Sequence, residues 1–373
     1  MRAAVYAVLL AAAASPATAQ HGDGPSRPKL PAQADTNDAE VYYQFARDRT
    51  TDFRDAYAAF VWANRIDPTQ THYLYARYQA EWARRPWEWR VFYNQGDKRV
   101  TESGEAQLLD SLYAEVVLRD PFPRLPMETC VVDRYITQVR NPWAQGLYWY
   151  YNGCNDRAAD QWKLAIEMYP NFIGLRVDRA RALGLDRKFA EAVDELTVVL
   201  DTMRQRDIEH LRFNYQSKAF LEYMLGVAHL GARRIRPAQE AFGRALVEDL
   251  GFYPAHVQLA ELARRRRQHM SAAQEYEAAL ATEGTNVKIH YDYAMTLMDL
   301  NRFADAETHF RRALELEPHF ALAYLRLGKA LEAQAKNDEA VEAYRAYVAR
   351  APARLTTLKG DAEARIAALT GAT

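Results

Sequence analysis

"NRFADAETHFRRALELEP", residues 301–318, decides the fold. Phe303, Ala306, Phe310, Ala313 and Leu314 recur at three- and four-residue steps, the period of an amphipathic helix, and Pro318 ends that helix because it has no N–H to give. An isolated helix would not need alanine at two of these positions. Ala306 and Ala313 strip bulk from the apolar face on either side of one aromatic, Phe310, so a second backbone can come close. The stretch reads as one half of a tightly packed helix pair. The same spacing returns downstream at Ala340, Tyr344, Tyr347 and Pro352, and upstream, by an equal step, at Ala272, Tyr276, Ala279 and Gly284. The pattern is therefore a repeat.

The same template extends along the chain. Four units abut over residues 219–354: Leu225, Gly226, Ala238, Phe242 and Ala245 mark the first, and Tyr324, Leu327, Gly328, Leu331, Ala340, Tyr344 and Tyr347 the last. Twelve extra residues, 207–218, interrupt the register. Upstream of them, Ala180, Leu183, Ala192, Leu196 and Val199 carry a unit at 173–206, and Gly146, Trp149, Ala158, Trp162, Ala165 and Pro170 one at 139–172. An isolated unit at 37–70 fits through Tyr43, Ala56, Phe60, Ala63 and Pro68. Tyr347 stands where a small residue is expected, and Leu250 and Gly284 replace the turn proline, so looser or re-routed helix ends are expected there. Residues 355–373, with Leu358, Ala362, Ile366 and Leu369 at helical spacing, suit a capping helix and tail.

This pattern resembles the tetratricopeptide repeat, a helix-turn-helix of about 34 residues. The resemblance covers well over half of the chain and implies an all-α, right-handed superhelical solenoid of stacked helical hairpins. Residues 71–138 depart from it. "THYLYARYQAEWA", 71–83, could open a degenerate unit, Trp87, Trp89, Val91 and Tyr93 alternate as in a short hairpin or a distorted helix, and Leu108, Leu109, Leu112, Val116 and Val117 mark a helix over 104–119. An irregular insertion near 84–138 is therefore expected.

The resemblance also implies which residues face the groove, at positions 2, 5, 9, 12 and 13 of each unit. These hold Phe220, Tyr223 and Val227; Val257, Glu261, Arg264 and Arg265; and Lys288, Tyr291, Met295 and Met298. Trp143, Tyr150 and Tyr151 hold such positions in the 139–172 unit. Tyr223 and Tyr291 are expected as exposed anchors. Tyr, Met and Arg suit a protein or peptide partner. All seven tryptophans lie in the N-terminal half, which keeps a glycan partner, or an accessory role in envelope polysaccharide assembly or export, as the alternative. The turns within units carry Arg187, Lys188, Arg233, Arg234, Arg236, Arg264 to Arg267, Arg302 and Lys336, a basic ridge that could meet an anionic partner.

No HExxH, glycine-rich phosphate loop, GxSxG or CxxCH occurs, so neither catalysis, a metal nor a cofactor is expected. The balance of 48 Lys+Arg against 49 Asp+Glu argues against nucleic acid as a partner. Residues 1–19, basic at Arg2, apolar from Ala3 to Ala14 and small at Ala17 and Ala19, read as a cleaved secretory signal, the apolar run falling short of the about 20 residues that a membrane anchor needs. Residues 20–36, with Pro25, Pro28 and Pro31, read as a flexible tail. No later stretch reads as a transmembrane segment. The expectation is an exported scaffold in a bacterial periplasm.

Two cysteines, Cys130 and Cys154, in an exported chain favour a disulfide over two buried thiols or a metal site. Such a bond would close a loop of about 25 residues and contribute roughly 3 kcal/mol on a chain-entropy account. Unfolded, unreduced mature protein should therefore take up no thiol label. Two labelled thiols per chain would refute the bond.

Overall fold

Helical hairpins that each leave an apolar face uncovered must stack, and stacking is what the chain does. The computed structural model describes residues 25–48, 53–85, 102–123, 141–151, 153–208, 211 and 217–371. The signal sequence, Cys130, and the stretch read as a hairpin or distorted helix lie outside them. The described residues form seventeen helices: α1 (Ala39–Asp48), α2 (Phe53–Ile66), α3 (Thr71–Ala83), α4 (Gly104–Arg119), α5 (Pro142–Tyr151), α6 (Asn155–Met168), α7 (Gly174–Leu185), α8 (Phe189–Gln205), α9 (Lys218–Gly231), α10 (Ile235–Glu248), α11 (Tyr253–Arg265), α12 (His269–Thr282), α13 (Val287–Asp299), α14 (Phe303–Leu316), α15 (Ala321–Ala333), α16 (Asn337–Arg350) and α17 (Thr356–Thr370). Helices adjacent in sequence pack side by side, giving an all-α solenoid. There are two compact units, one of Ala7–Tyr113 with Leu259–Thr373 and one of Ala114–Gln258.

The seam inside each hairpin is set by small residues facing a large one. Ala158, Ala192, Ala238, Ala272, Ala306 and Ala340, one per repeat, are wholly buried. So are the side chains at the aromatic position, Trp162, Leu196, Phe242, Tyr276, Phe310 and Tyr344. On the facing helix, a Cβ added to Gly146 would lie 2.3 Å from Trp162, one on Gly226 2.3 Å from Phe242, and one on Gly328 2.6 Å from Tyr344. Helix and ring touch so closely that no side chain fits between them. Tyr347 is also fully buried, so the larger side chain is accommodated.

The turn inside each repeat is equally regular. Gly153, Arg187, Arg233, Arg267, Asn301 and Ala335 take positive φ, and the next residue's N–H reaches back five residues, as from Lys188 to Leu183 O (2.8 Å) and from Arg302 to Leu297 O (2.9 Å). These are left-handed caps that satisfy the last carbonyls of the first helix. The caps recur at the repeat period except between Arg187 and Arg233, where the twelve-residue insertion falls.

Where the turn proline is missing, a histidine compensates. His256 Nε2 lies 3.0 Å from Leu250 O, and His290 Nε2 3.0 Å from Gly284 O. A carbonyl only accepts, so each ring donates its Nε2–H. The helix ends expected to be looser are thus tied down, because the next helix supplies the constraint that proline would have given.

Gly328→Ala should cost about 1–3 kcal/mol by overpacking against Tyr344. Gly243, inside α10 with nothing within 4 Å of an added Cβ, is the control. Gly243→Ala should gain about 0.5–1 kcal/mol from helix propensity. Equal urea midpoints for the two variants would show that the seam is not closed at Gly328.

Candidate functional site

In the unit containing α12–α17, the expected groove residues divide into a charged cluster, a half-buried aromatic, two half-buried methionines and one exposed arginine. Lys288 Nζ on α13 lies 2.8 Å from Glu261 and 2.7 Å from Asp292, and Arg264 lies 3.6 Å from Asp292. Burial alone would lower the Lys288 pKa, but Asp292 and Glu261 outweigh it and hold the ammonium above its ordinary value. Two cations and two carboxylates satisfy one another. Tyr291 is half-buried, its ring 4.8 Å from Phe320 and 5.9 Å from Phe310. Burial pushes its hydroxyl pKa up against the pull of Arg326, with Asp67 of the α2–α3 turn also in its field. The expected open anchor is therefore partly covered. Met295 and Met298 are half-buried and Arg265 is exposed.

The N-terminal hairpin reaches the same repeats at their connecting loops. Ala353 N–H donates to Asp35 Oδ2 at 2.5 Å, Arg354 Nε donates to Asp38 at 2.5 Å, and Asn37 Nδ2 donates to Ala349 O at 3.2 Å. Beside these, the Trp62 ring lies 4.7 Å from His319, with the guanidinium groups of Arg27 and Arg65 each 4.7 Å from the indole. Arg65 also lies 3.7 Å from Glu317. Burial raises the Glu317 carboxyl to about 7 against the opposing pull of Arg65. Burial, then Arg65, Arg27 and Arg350, lower His319 to about 4.

In the other unit, Tyr223 corrects an expectation. It is 0% exposed, its hydroxyl donates to Leu118 O at 2.8 Å, and its ring packs on Phe252 (5.7 Å) and Phe242 (6.0 Å). The end of α4 covers this groove position, so Tyr223 is core. Phe122, just beyond α4, is also fully buried, and a Cβ on Gly184 would lie 2.2 Å from its ring. Sequence reading missed Phe122; its signal was a glycine at a groove position of α7. Phe220 is half-buried against Tyr223, and Val227 and Val257 are half-buried. Tyr150 tilts on Trp162 at 5.5 Å, while Trp143 remains 43% exposed, its ring edge-on to Phe172. The Tyr151 side chain lies outside the described residues.

Residues 291–354 match the family model described as tetratricopeptide repeat. Over these residues the chain carries tetratricopeptide repeats. Among solved structures it is similar to the C-terminal part of a TPR repeat-containing protein from Cytophaga hutchinsonii (15% identity, TM-score 0.49, covering 62% of this chain and 96% of that one). It is also similar to YrrB, a TPR protein with an unusual peptide-binding site (16%, TM-score 0.45, 55% and 99%), and to MamA (16%, TM-score 0.42, 48% and 92%). No curated protein matches the sequence significantly.

The basic ridge is partly neutralised within the chain. Lys188 pairs with Asp186 (2.8 Å), Arg302 with Asp305 (2.7 Å) and Lys336 with Glu307 (2.7 Å). Arg265, Arg266 and Arg267 stay exposed. Among the described residues no group of three or more His, Cys, Asp or Glu side chains could hold a metal ion.

Glu317 makes the fold sensitive to pH. Its pKa in the fold, about 7, lies above the ordinary 4.5, so the fold prefers the protonated form. The stability this contributes is fully present below pH 4.5 and is lost as pH rises through 7. Glu317→Gln stays neutral throughout. It should therefore be more stable than the parent above pH 7, by about 3 kcal/mol at most, since a tenfold change in proton affinity is worth ~1.4 kcal/mol. Melting curves should converge near pH 4.5; a variant less stable than the parent at pH 8 would contradict this account.

Proposed function

We propose that the chain is an exported tetratricopeptide-repeat scaffold of the bacterial cell envelope that binds a protein or peptide and performs no chemistry itself. The observation that carries the reading is the expected groove positions that are not buried, exposed Arg265 and half-buried Met295 and Met298, while Tyr223 is core. Methionine adapts its shape to a partner, and arginine is enriched at interfaces. Trp143 offers a second exposed anchor in the other unit. Export rests on the leader-like residues 1–19, and a disulfide between Cys130 and Cys154 would suit that compartment. No described helix is long and apolar enough to cross a membrane.

The glycan alternative has less support. Trp149 and Trp162 are buried in the repeat core, and Trp62 is buried beside His319, so none of the three offers a face on which a sugar could stack.

Met295→Glu with Met298→Glu should leave the array folded, because neither side chain belongs to the buried core. It should weaken cross-linked capture of an envelope protein by about 2 kcal/mol, roughly thirtyfold. Unchanged capture would remove these methionines from the interface. Fractionation with N-terminal sequencing checks export: a periplasmic chain beginning at Gln20 is expected, and a cytoplasmic chain beginning at Met1 would overturn it.

A further inference from the structure

The N-terminal hairpin touches the repeats as a ligand would. Its own core is self-contained: Tyr42, Tyr43, Ala59, Ala63 and Leu74 are buried among α1, α2 and α3, with Tyr43 packed on Phe60 at 5.7 Å and Tyr73 at 5.5 Å. The repeats close their seams independently, through Ala294, Phe310, Leu327 and Tyr344. Contact between the two is mainly polar. Asp35, Asn37 and Asp38 meet the 349–354 loop, Arg65 meets Glu317, and one indole, Trp62, lies against His319. Arg354 is 59% exposed at its side chain, while its partner Asp38 is buried. An interface of this kind can open without unfolding either side. Next to it lies Tyr291, its ring 4.8 Å from Phe320, the chain neighbour of the His319 that meets Trp62.

We propose that residues 25–83 dock reversibly as a self-ligand on the repeats of residues 287–354, so that the groove around Tyr291 is closed until the hairpin lets go. This rests on the scaffold reading for its purpose, since a partner for that groove would have to displace the hairpin. The docking itself is a property of the chain alone and is tested without any partner.

The experiment is hydrogen–deuterium exchange of the full chain, read segment by segment, with N-acetylimidazole as a probe of tyrosine access. In the parent, α1–α3 should exchange through an opening that leaves α14–α16 protected. The double variant Arg65→Glu with Arg354→Glu sets a like charge against Asp38 and, above pH 7, another against Glu317. It should speed exchange in α1–α3 and in residues 317–320 at least tenfold and make Tyr291 acetylatable, with α10 and α14 unchanged. Parent α1–α3 exchanging only together with α14–α16 would overturn the proposal, because the hairpin would then be an integral part of the fold. Exchange and acetylation unaltered in the variant would overturn it equally. Failure of the scaffold reading would appear instead as absent capture by a chain whose exchange shows the opening.

Discussion

Everything in this chain depends on the contact between a backbone with almost no side chain and an aromatic ring on the facing helix. Gly146 against Trp162, Gly226 against Phe242, and Gly328 against Tyr344 leave no room even for a methyl group. Such contacts maximise dispersion between close-packed surfaces, and they fix how near the two helices of a hairpin lie. Once that spacing is fixed, the left-handed cap at the end of each first helix can recur with nearly constant hydrogen bonds. It does so even on arginine, asparagine and alanine, where positive φ is uncommon. The regularity comes from packing, since five of the six caps lack the glycine that would favour them locally.

Buried charge follows a second rule: no carboxylate enters the stack without its cations. Glu195 is held by Arg176 and Arg179, and Glu222 by Arg204 and Arg244. Glu81 takes Arg84, Arg85 and the Tyr57 hydroxyl. Lys288 inverts the arrangement, one ammonium between two carboxylates. Desolvating any of these ions alone would cost several kcal/mol. Much of the charge that seemed available for a partner is consequently committed inside the protein, and the exposed arginines of the ridge include Arg187, Arg233, Arg234 and Arg236, and those at 265–267.

In each unit, positions that the repeat would present to a partner are taken by the N-terminal third of the chain. The end of α4 and Phe122 cover Tyr223 and Gly184 in one unit. In the other, the hairpin of Trp62 and Asp38 bears on the loops beside Tyr291. A solenoid normally offers its groove to another molecule; here that surface is partly satisfied from within. Of the expected groove residues towards the ends of the first helices, Arg265 is exposed and Met295 and Met298 are half-buried.

The sequence by itself determined the repeat, its period, the twelve-residue slip and the buried positions of each hairpin. These are local matters, since the complementary small and aromatic residues lie within one hairpin, where spacing alone brings them together. Helices over 71–83 and 104–119 were legible for the same reason. Only the tertiary structure decided which groove residues are open. Tyr223 is capped by a carbonyl 105 residues away, and Asp38 meets Arg354 across 316 residues. Periodicity cannot separate an aromatic that waits for a partner from one its own chain covers, because both occupy the same face of the same helix.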